Sequence, residues 1–469
     1  MLFPTVDFGI FFILVFAVSW FLVKLPAIRK HFLLIASYVF YGWWDWRFCG
    51  LLALNALINY SAALLVSDAK SEGKRKLWLG VAVTLNLAIL ATFKYLDWFM
   101  QSLSDVLIAV GLERDVPLFD LILPVGISFF TFQGISYVVD VYRRKIDAER
   151  SPFEVALYIS FFPQLVAGPI VRAAEFMPQL KKPPVLTNKM AAFGMVLILV
   201  GVFKKMIVAN YLATLYVDEI FFDPASQTSL DLLLGVYGYA IQIYCDFSGY
   251  SDIAIGVAAL LGYRFNVNFN QPYRASSLQD FWRRWHISLS SWLRDYLYIP
   301  LGGNKGGVIK TYRNLLLTML LGGIWHGAAW TFVIWGLIHG GVLAVERAIT
   351  NGRRSAGNFV TKLLGILFTF HVVCLAWIFF RSETLDGALT YIEGLGAFTV
   401  EFSIITPFIL SLIIATMVFQ FTPSDLLQRA GGWMERAGAL PRAAVFVVGL
   451  LLIQWVAPND VAPFIYFQF

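Results

Sequence analysis

The chain has 469 residues, of which 59% are hydrophobic and only 14% charged, where soluble domains carry about 25% charge, and its mean hydropathy is +0.70. These figures exclude a soluble globular enzyme, a disordered chain and a nucleic-acid binder, and they leave a polytopic membrane protein. The net charge of +6 is too small and dispersed for a polyanion footprint and suits basic cytoplasmic loops.

The first apolar run, 8–23, has Asp7 before it and Lys24, Arg29 and Lys30 after it, the reverse of a signal peptide. It reads as an uncleaved span with its N-terminus outside. Further runs near membrane length follow around 31–46, 48–66, 77–93, 121–141, 153–170, 190–217, 230–261, 314–345, 361–380, 405–421 and 443–457. Lys24/Arg29/Lys30, Lys70/Lys74/Arg75/Lys76 and Arg143/Arg144/Lys145 mark cytoplasmic loops. The rule strains at 153–170, whose following loop is basic too (Arg172, Lys181, Lys182, Lys189) and which Pro163 and Pro169 interrupt. A re-entrant element resolves the conflict, since protein can bury a broken backbone at membrane depth.

Cys49, Cys245 and Cys374 lie in apolar stretches without Cys-x-x-Cys spacing, so they read as packing residues, with no disulfide or metal site. Asp246-Phe-Ser-Gly-Tyr-Ser-Asp252 is a polar island inside the 230–261 run. Its two carboxylates need partners or water, and either orient a histidine, line a polar tunnel, or pair with Arg283 or Arg284.

Residues 276–300, SSLQDFWRRWHISLSSWLRDYLYIP, are far more polar than their neighbours but place Leu278, Phe281, Trp282, Trp285, Leu289, Trp292, Leu293 and Tyr296 at helical spacing. An amphipathic helix follows, starting at the Ser277–Asp280 capping pair and stopping at Pro300. His286 falls on the edge of the apolar stripe. Two readings stand for the segment: an interfacial helix anchored by Arg and Trp, or a wall of a polar cavity. The Gly-Gly-Asn-Lys-Gly-Gly run at 302–307 lacks P-loop spacing and reads as a turn.

Between Arg313 and Glu346 lie 32 uncharged residues apart from two histidines. As one helix they would extend about 48 Å against a hydrocarbon core of about 30 Å, so the run must tilt, break or split. Gly322-Gly323, Gly336 and Gly340-Gly341 are the weak points, and His326 sits among them. An imidazole away from water rests neutral, the form a general base requires. From the residues alone His326 is either that base or an interhelical hydrogen-bonding histidine. His339, 13 residues on, lies about 140° round an ideal helix and reads as structural, unless the chain breaks between them.

The stretch QDFWRRWHISLSSWLRDYLYIPLGGNKGG with the downstream GGIWHG resembles the membrane-bound O-acyltransferase family, in its bacterial alginate and cellulose O-acetyltransferase branch. LPVGISFFTFQGISYVVDVYR (123–143), FFPQLVAGPIVR (161–172), IYCDFSGYSDIAIG (243–256) and NFNQPY (268–273) follow the same order, so the likeness covers nearly the whole chain. It implies one all-α integral membrane domain over 1–469, with roughly eleven transmembrane helices plus re-entrant and interfacial pieces around a central tunnel. It also implies that His326 is catalytic and His286 a second functional position.

An acetyl group from cytoplasmic acetyl-CoA would meet its acceptor inside the bilayer. His326 would take the hydroxyl proton, and His286 or the indoles of Trp285 or Trp325 would stabilise the oxyanion or position the acceptor. Asp246, Ser248, Tyr250, Arg283 and Arg284 are candidates for the tunnel lining, and Arg143, Arg144, Lys204 and Lys205 for the donor phosphates. The expected setting is the bacterial inner membrane, with periplasmic SGNH-like partner acetyltransferases. The expected acceptor is exported cellulose or alginate, or alternatively peptidoglycan. The reading from another class is a transporter of acyl groups or protons, with the histidines in a relay.

Overall fold

The computed structural model describes residues 1, 3–112, 116–350, 358–399, 401–402, 404–458 and 462–465, and among them there are helices and loops but no strand. Seven segments are long and apolar enough to cross a membrane: Val6–Lys24, Pro26–Asp68, Glu72–Ala109, Asn188–Phe222, Trp330–Thr350, Phe359–Arg381 and Ala439–Val456. The protein is therefore an all-α multi-pass membrane protein. Its described chain resolves into two compact units, residues 1–187 with 257–265, and residues 188–256 with 266–469.

The first unit is built on the helices Val6–Phe21, Pro26–Asp45, Cys49–Asp68, Glu72–Ala109 and Ile127–Tyr142. Local chemistry sets their starts. The hydroxyls of Thr5 and Ser71 accept the amide N–H groups of Phe8 and Lys74, and Pro26 opens a first turn where its missing N–H costs nothing. Apolar side chains lie outward along the spans, so packing is specified by buried polar contacts. Asn55, Asn59 and Asn86 form a fully buried triad, with Asn55 Nδ2 donating to Asn86 Oδ1 at 2.8 Å and Asn86 Nδ2 to Asn59 Oδ1 at 3.0 Å. Such interhelical amide pairs hold helices together where hydrophobicity alone gives no preference.

Arg29, counted in sequence as a loop cation, is instead a buried structural residue. Its guanidinium donates to Ser19 O, Leu261 O and Tyr263 Oη, and the side chain is 2% exposed. The 153–170 run is two short buried helices, Pro152–Ser160 and Phe162–Leu165, each too short to cross a bilayer.

The second unit holds Asn188–Phe222, whose middle winds in π turns over Lys204–Ala209, and the 32-residue helix Ser229–Leu260, the last four residues of which fall to the first unit. The long uncharged run does split: Val308–His326 ends at His326, and Trp330–Thr350 folds back against it. Glycine makes the hairpin tight. A Cβ on Gly336 would stand 2.6 Å from Met319 O, and one on Gly323 would stand 2.3 Å from Phe332 O. The expected amphipathic helix over 276–300 is broken as well, into Leu278–Trp282 and Ile287–Leu293. His286 occupies the joint in the left-handed region, at φ 42° and ψ 57°.

Candidate functional site

His286 and His326 come together within the second unit. Each sits at a helix interruption, which length and glycine placement anticipated for the 314–345 run, whereas 276–300 was read as one continuous helix. His326 is the last residue of its helix and is 3% exposed. Its imidazole is boxed by the rings of Trp325, Trp335 and Phe380 at 5.0, 4.8 and 5.2 Å between centroids, each approached edge to face. Trp325 also stands 6.3 Å from the His286 ring, so one indole is a neighbour of both imidazoles.

His286 is fully buried and its orientation is fixed by Asn268. Asn268 Oδ1 accepts the Ser288 amide N–H at 3.1 Å and the Ser288 hydroxyl at 2.9 Å. An atom that accepts a backbone N–H is the carbonyl oxygen of the amide, so the contact of His286 Nδ1 with it at 3.3 Å favours the tautomer protonated there, with Ser288 Oγ also 3.4 Å from Nδ1. The neutral tautomer selected this way carries its lone pair on Nε2. Asn268 Nδ2 in turn donates to Ser251 Oγ at 3.1 Å. On its other side the His286 ring meets Phe247 edge-on at 4.6 Å. Asn268 and Phe247 were not named as site residues from the sequence, although NFNQPY (268–273) and IYCDFSGYSDIAIG (243–256), which contain them, were among the segments carrying the resemblance.

The tunnel-lining candidates divide. Trp325 belongs to the histidine cluster. Trp285 is buried in an aromatic stack with Phe269, Phe281 and Trp377, at 5.1, 5.6 and 5.1 Å. Asp246 does not reach Arg283 or Arg284: it pairs with Lys205 at 2.5 Å, and Asp252 pairs with Lys204 at 2.7 Å. Arg284 pairs with Asp280 at 2.9 Å, and Arg283 is exposed. Ser248 and Tyr250 are buried on the Ser229–Leu260 helix, with the Tyr250 ring 4.4 Å from Phe464.

Lys204 and Lys205, candidates for the donor phosphates, are thus engaged in buried ion pairs on π-wound backbone, so both ammonium groups already have carboxylate partners. Lys205 further donates to Ala462 O at 2.7 Å. Arg143 and Arg144 lie in the first unit just after the Ile127–Tyr142 helix, half-buried and exposed respectively. No cluster of three or more His, Cys, Asp or Glu suited to a metal occurs among the described residues. Two buried imidazoles that share Trp325 as a neighbour in an aromatic interior suit proton transfer to and from a hydroxyl.

The sequence model of the MBOAT, membrane-bound O-acyltransferase family matches residues 143–385. Over 362 residues the chain is 44% identical to the probable alginate O-acetylase AlgI of Azotobacter vinelandii, covering 77% of this chain and 71% of that protein. The probable alginate O-acetylase AlgI of Pseudomonas putida is 38% identical over 468 residues, 94% of each chain. The peptidoglycan O-acetyltransferase of Helicobacter pylori is 38% identical over 399 residues, 79% of this chain and 74% of that one.

Proposed function

The chain belongs to the membrane-bound O-acyltransferase family, and from that premise we propose that it O-acetylates an exported polysaccharide with acetyl-CoA as donor and His326 as general base. The observation that carries the assignment of the base is the pairing of His326 with His286 across Trp325 in the interior of the second unit. The class of reaction, acyl transfer, is that of the family. Relatives named for alginate and for peptidoglycan support a glycan acceptor.

In the proposed reaction a ring nitrogen of neutral His326 takes the proton of the attacking hydroxyl as its oxygen bonds to the thioester carbonyl carbon. The tetrahedral oxyanion then collapses, the C–S bond breaks, and the imidazolium returns its proton to the coenzyme A thiolate. No proton is gained or lost overall. General-base help of this kind contributes typically 10²–10⁴-fold. With Nδ1 committed to Asn268, neutral His286 offers an acceptor at Nε2, which suits it to orient the incoming hydroxyl. The oxyanion needs a donor, and the Trp325 indole N–H is of the right type, on a ring 6.3 and 5.0 Å from those of His286 and His326.

The setting proposed is the bacterial inner membrane with the N-terminus outside. The acetyl group is proposed to pass to the polymer directly or through a periplasmic SGNH-like acetyltransferase. The test is coenzyme A release and acetyl transfer from radiolabelled acetyl-CoA by detergent-purified protein, with His326→Ala beside the wild type and matched thermal midpoints. Release that disappears in the folded variant supports the reading. Equal release from both removes His326 from the chemistry.

A further inference from the structure

His339 was read as structural because an unbroken helix would carry it to the far side from His326. The break after His326 changes that geometry. The returning Trp330–Thr350 helix sets Trp335 against both histidines, 4.8 Å from the His326 ring and 4.5 Å from the His339 ring. A second indole, Trp282, closes on His339 edge-on at 5.2 Å and on Trp335 at 5.8 Å. Phe281 stacks on His339 at 6.3 Å.

The chemistry of this box is unusual for a packing site. His339 is fully buried, and neither Nδ1 nor Nε2 has a hydrogen-bond partner among the described residues. The indole nitrogens of Trp282 and Trp335 are buried without one as well. A neutral imidazole carries one donor and one acceptor, and an indole carries one donor, so three rings packed against one another carry three donors and one acceptor. Buried polar groups are nearly always satisfied, and leaving several orphaned at one place costs their desolvation with nothing in return. Phenylalanine would fill the same space without that cost.

We propose that His339, Trp282 and Trp335 together hold one polar guest of the size and chemistry of water, and that His339 is thereby a positioning residue that fixes the Trp335 ring against His326. The guest accepts from the two indole N–H groups with its two lone pairs and donates to the unprotonated nitrogen of the imidazole, which satisfies three of the four groups. The inference rests on the reading of His326 as the base. It adds that the catalytic imidazole is held from behind by a hydrogen-bonded shell, without which Trp335 is held by ring packing alone.

Two variants of the full chain in detergent test this beside His326→Ala. His339→Leu removes the polar atoms at similar volume, and His339→Gln keeps a donor and an acceptor. Expected for His339→Leu is a kcat at least about tenfold lower, the usual scale for losing a supporting residue, with the KM for acetyl-CoA unchanged. Its thermal midpoint should fall only modestly, since leucine fills the space but the guest loses its bond to the imidazole. His339→Gln should recover most of the turnover. Wild-type turnover in His339→Leu overturns the proposal. So does a lost midpoint in His339→Leu that accounts for its lost turnover with no recovery in His339→Gln, since His339 is then an ordinary structural residue. An inactive His326→Ala beside a fully active His339→Leu sinks only the role of His339, whereas an active His326→Ala removes the premise.

Discussion

The buried pair Lys205–Asp246 makes a quantitative prediction. Its side chains are 1% and 4% exposed and 2.5 Å apart, so Lys205→Met leaves a carboxylate with neither water nor counter-ion. Breaking a buried pair on one side costs about 3–5 kcal/mol, whereas removing both charges is often neutral or better. Here the double variant Lys205→Met/Asp246→Leu cannot recover everything. Asp246 Oδ2 also accepts the Ile465 amide N–H at 2.8 Å, and Lys205 also donates to Ala462 O, and an orphaned buried backbone group costs about 1–3 kcal/mol. The double variant should therefore sit between wild type and Lys205→Met, with a favourable coupling of about 1–3 kcal/mol in a double-mutant cycle. Denaturant or thermal unfolding of the purified protein reads the cycle, and the KM for acetyl-CoA is measured alongside. Additive single effects would refute the pairing argument. A raised KM in Lys205→Met that persists in the double variant would return Lys205 to the donor phosphates.

The glycine hairpin gives a sharper steric contrast. Gly336→Ala should destabilise by about 1–3 kcal/mol and lower acetyl transfer, because its methyl meets Met319 O at 2.6 Å, while Gly341→Ala, with nothing within 4 Å, should be neutral or gain a few tenths of a kcal/mol; a proteolysis or thermal-shift comparison separates them. In the first unit, burial pushes the Glu149 carboxyl up, but the Lys181 ammonium at 2.8 Å and the Ser151 and Arg150 amides outweigh it and hold it below its ordinary value. A carboxyl held low stabilises above the ordinary value of 4.5 and loses that contribution as pH falls through its folded value. Glu149→Gln should therefore cost about 0.2–1 kcal/mol near pH 7, Lys181 being largely exposed, and the difference from wild type should vanish in acid stability scans.

What could be read in advance followed from length and periodicity. Spans of about 20 apolar residues were located because a bilayer demands them, and the split near Gly322-Gly323 followed from the length of the run. The misreadings share one cause. A helical wheel presumes a continuous helix, so it placed His286 on the edge of a stripe, and it placed His339 away from His326 only on the condition that no break intervened. The actual backbone turns at His286 and again after His326. Charge partners were equally out of reach: Asp246 and Asp252 meet Lys205 and Lys204 from a helix more than 40 residues earlier in the chain, and no local pattern names that pairing. Asn268 escaped because its importance lies in which atom of His286 it holds, a property of three-dimensional registration.

His286 and His326 both stand where helix gives way, and in a membrane protein that placement follows from the backbone. Interrupted backbone in a bilayer must be enclosed by protein, so an interruption creates an interior where peptide groups and imidazoles can face a shared space without meeting lipid. The interruption at 286 is strained, since φ 42° is a region that histidine visits more readily than most residues but still at a cost of order 1–3 kcal/mol. Glycine adopts it freely. His286→Gly should thus be more stable than His286→Ala by about 1 kcal/mol, although both remove the imidazole, the Asn268 contact and the ring packing on Phe247. Both should lose acetyl transfer alike. Equal stability of the two would show that the joint relaxes out of the left-handed region once the Asn268 bond is gone, and that this bond, rather than the surrounding fold, bends the chain at His286.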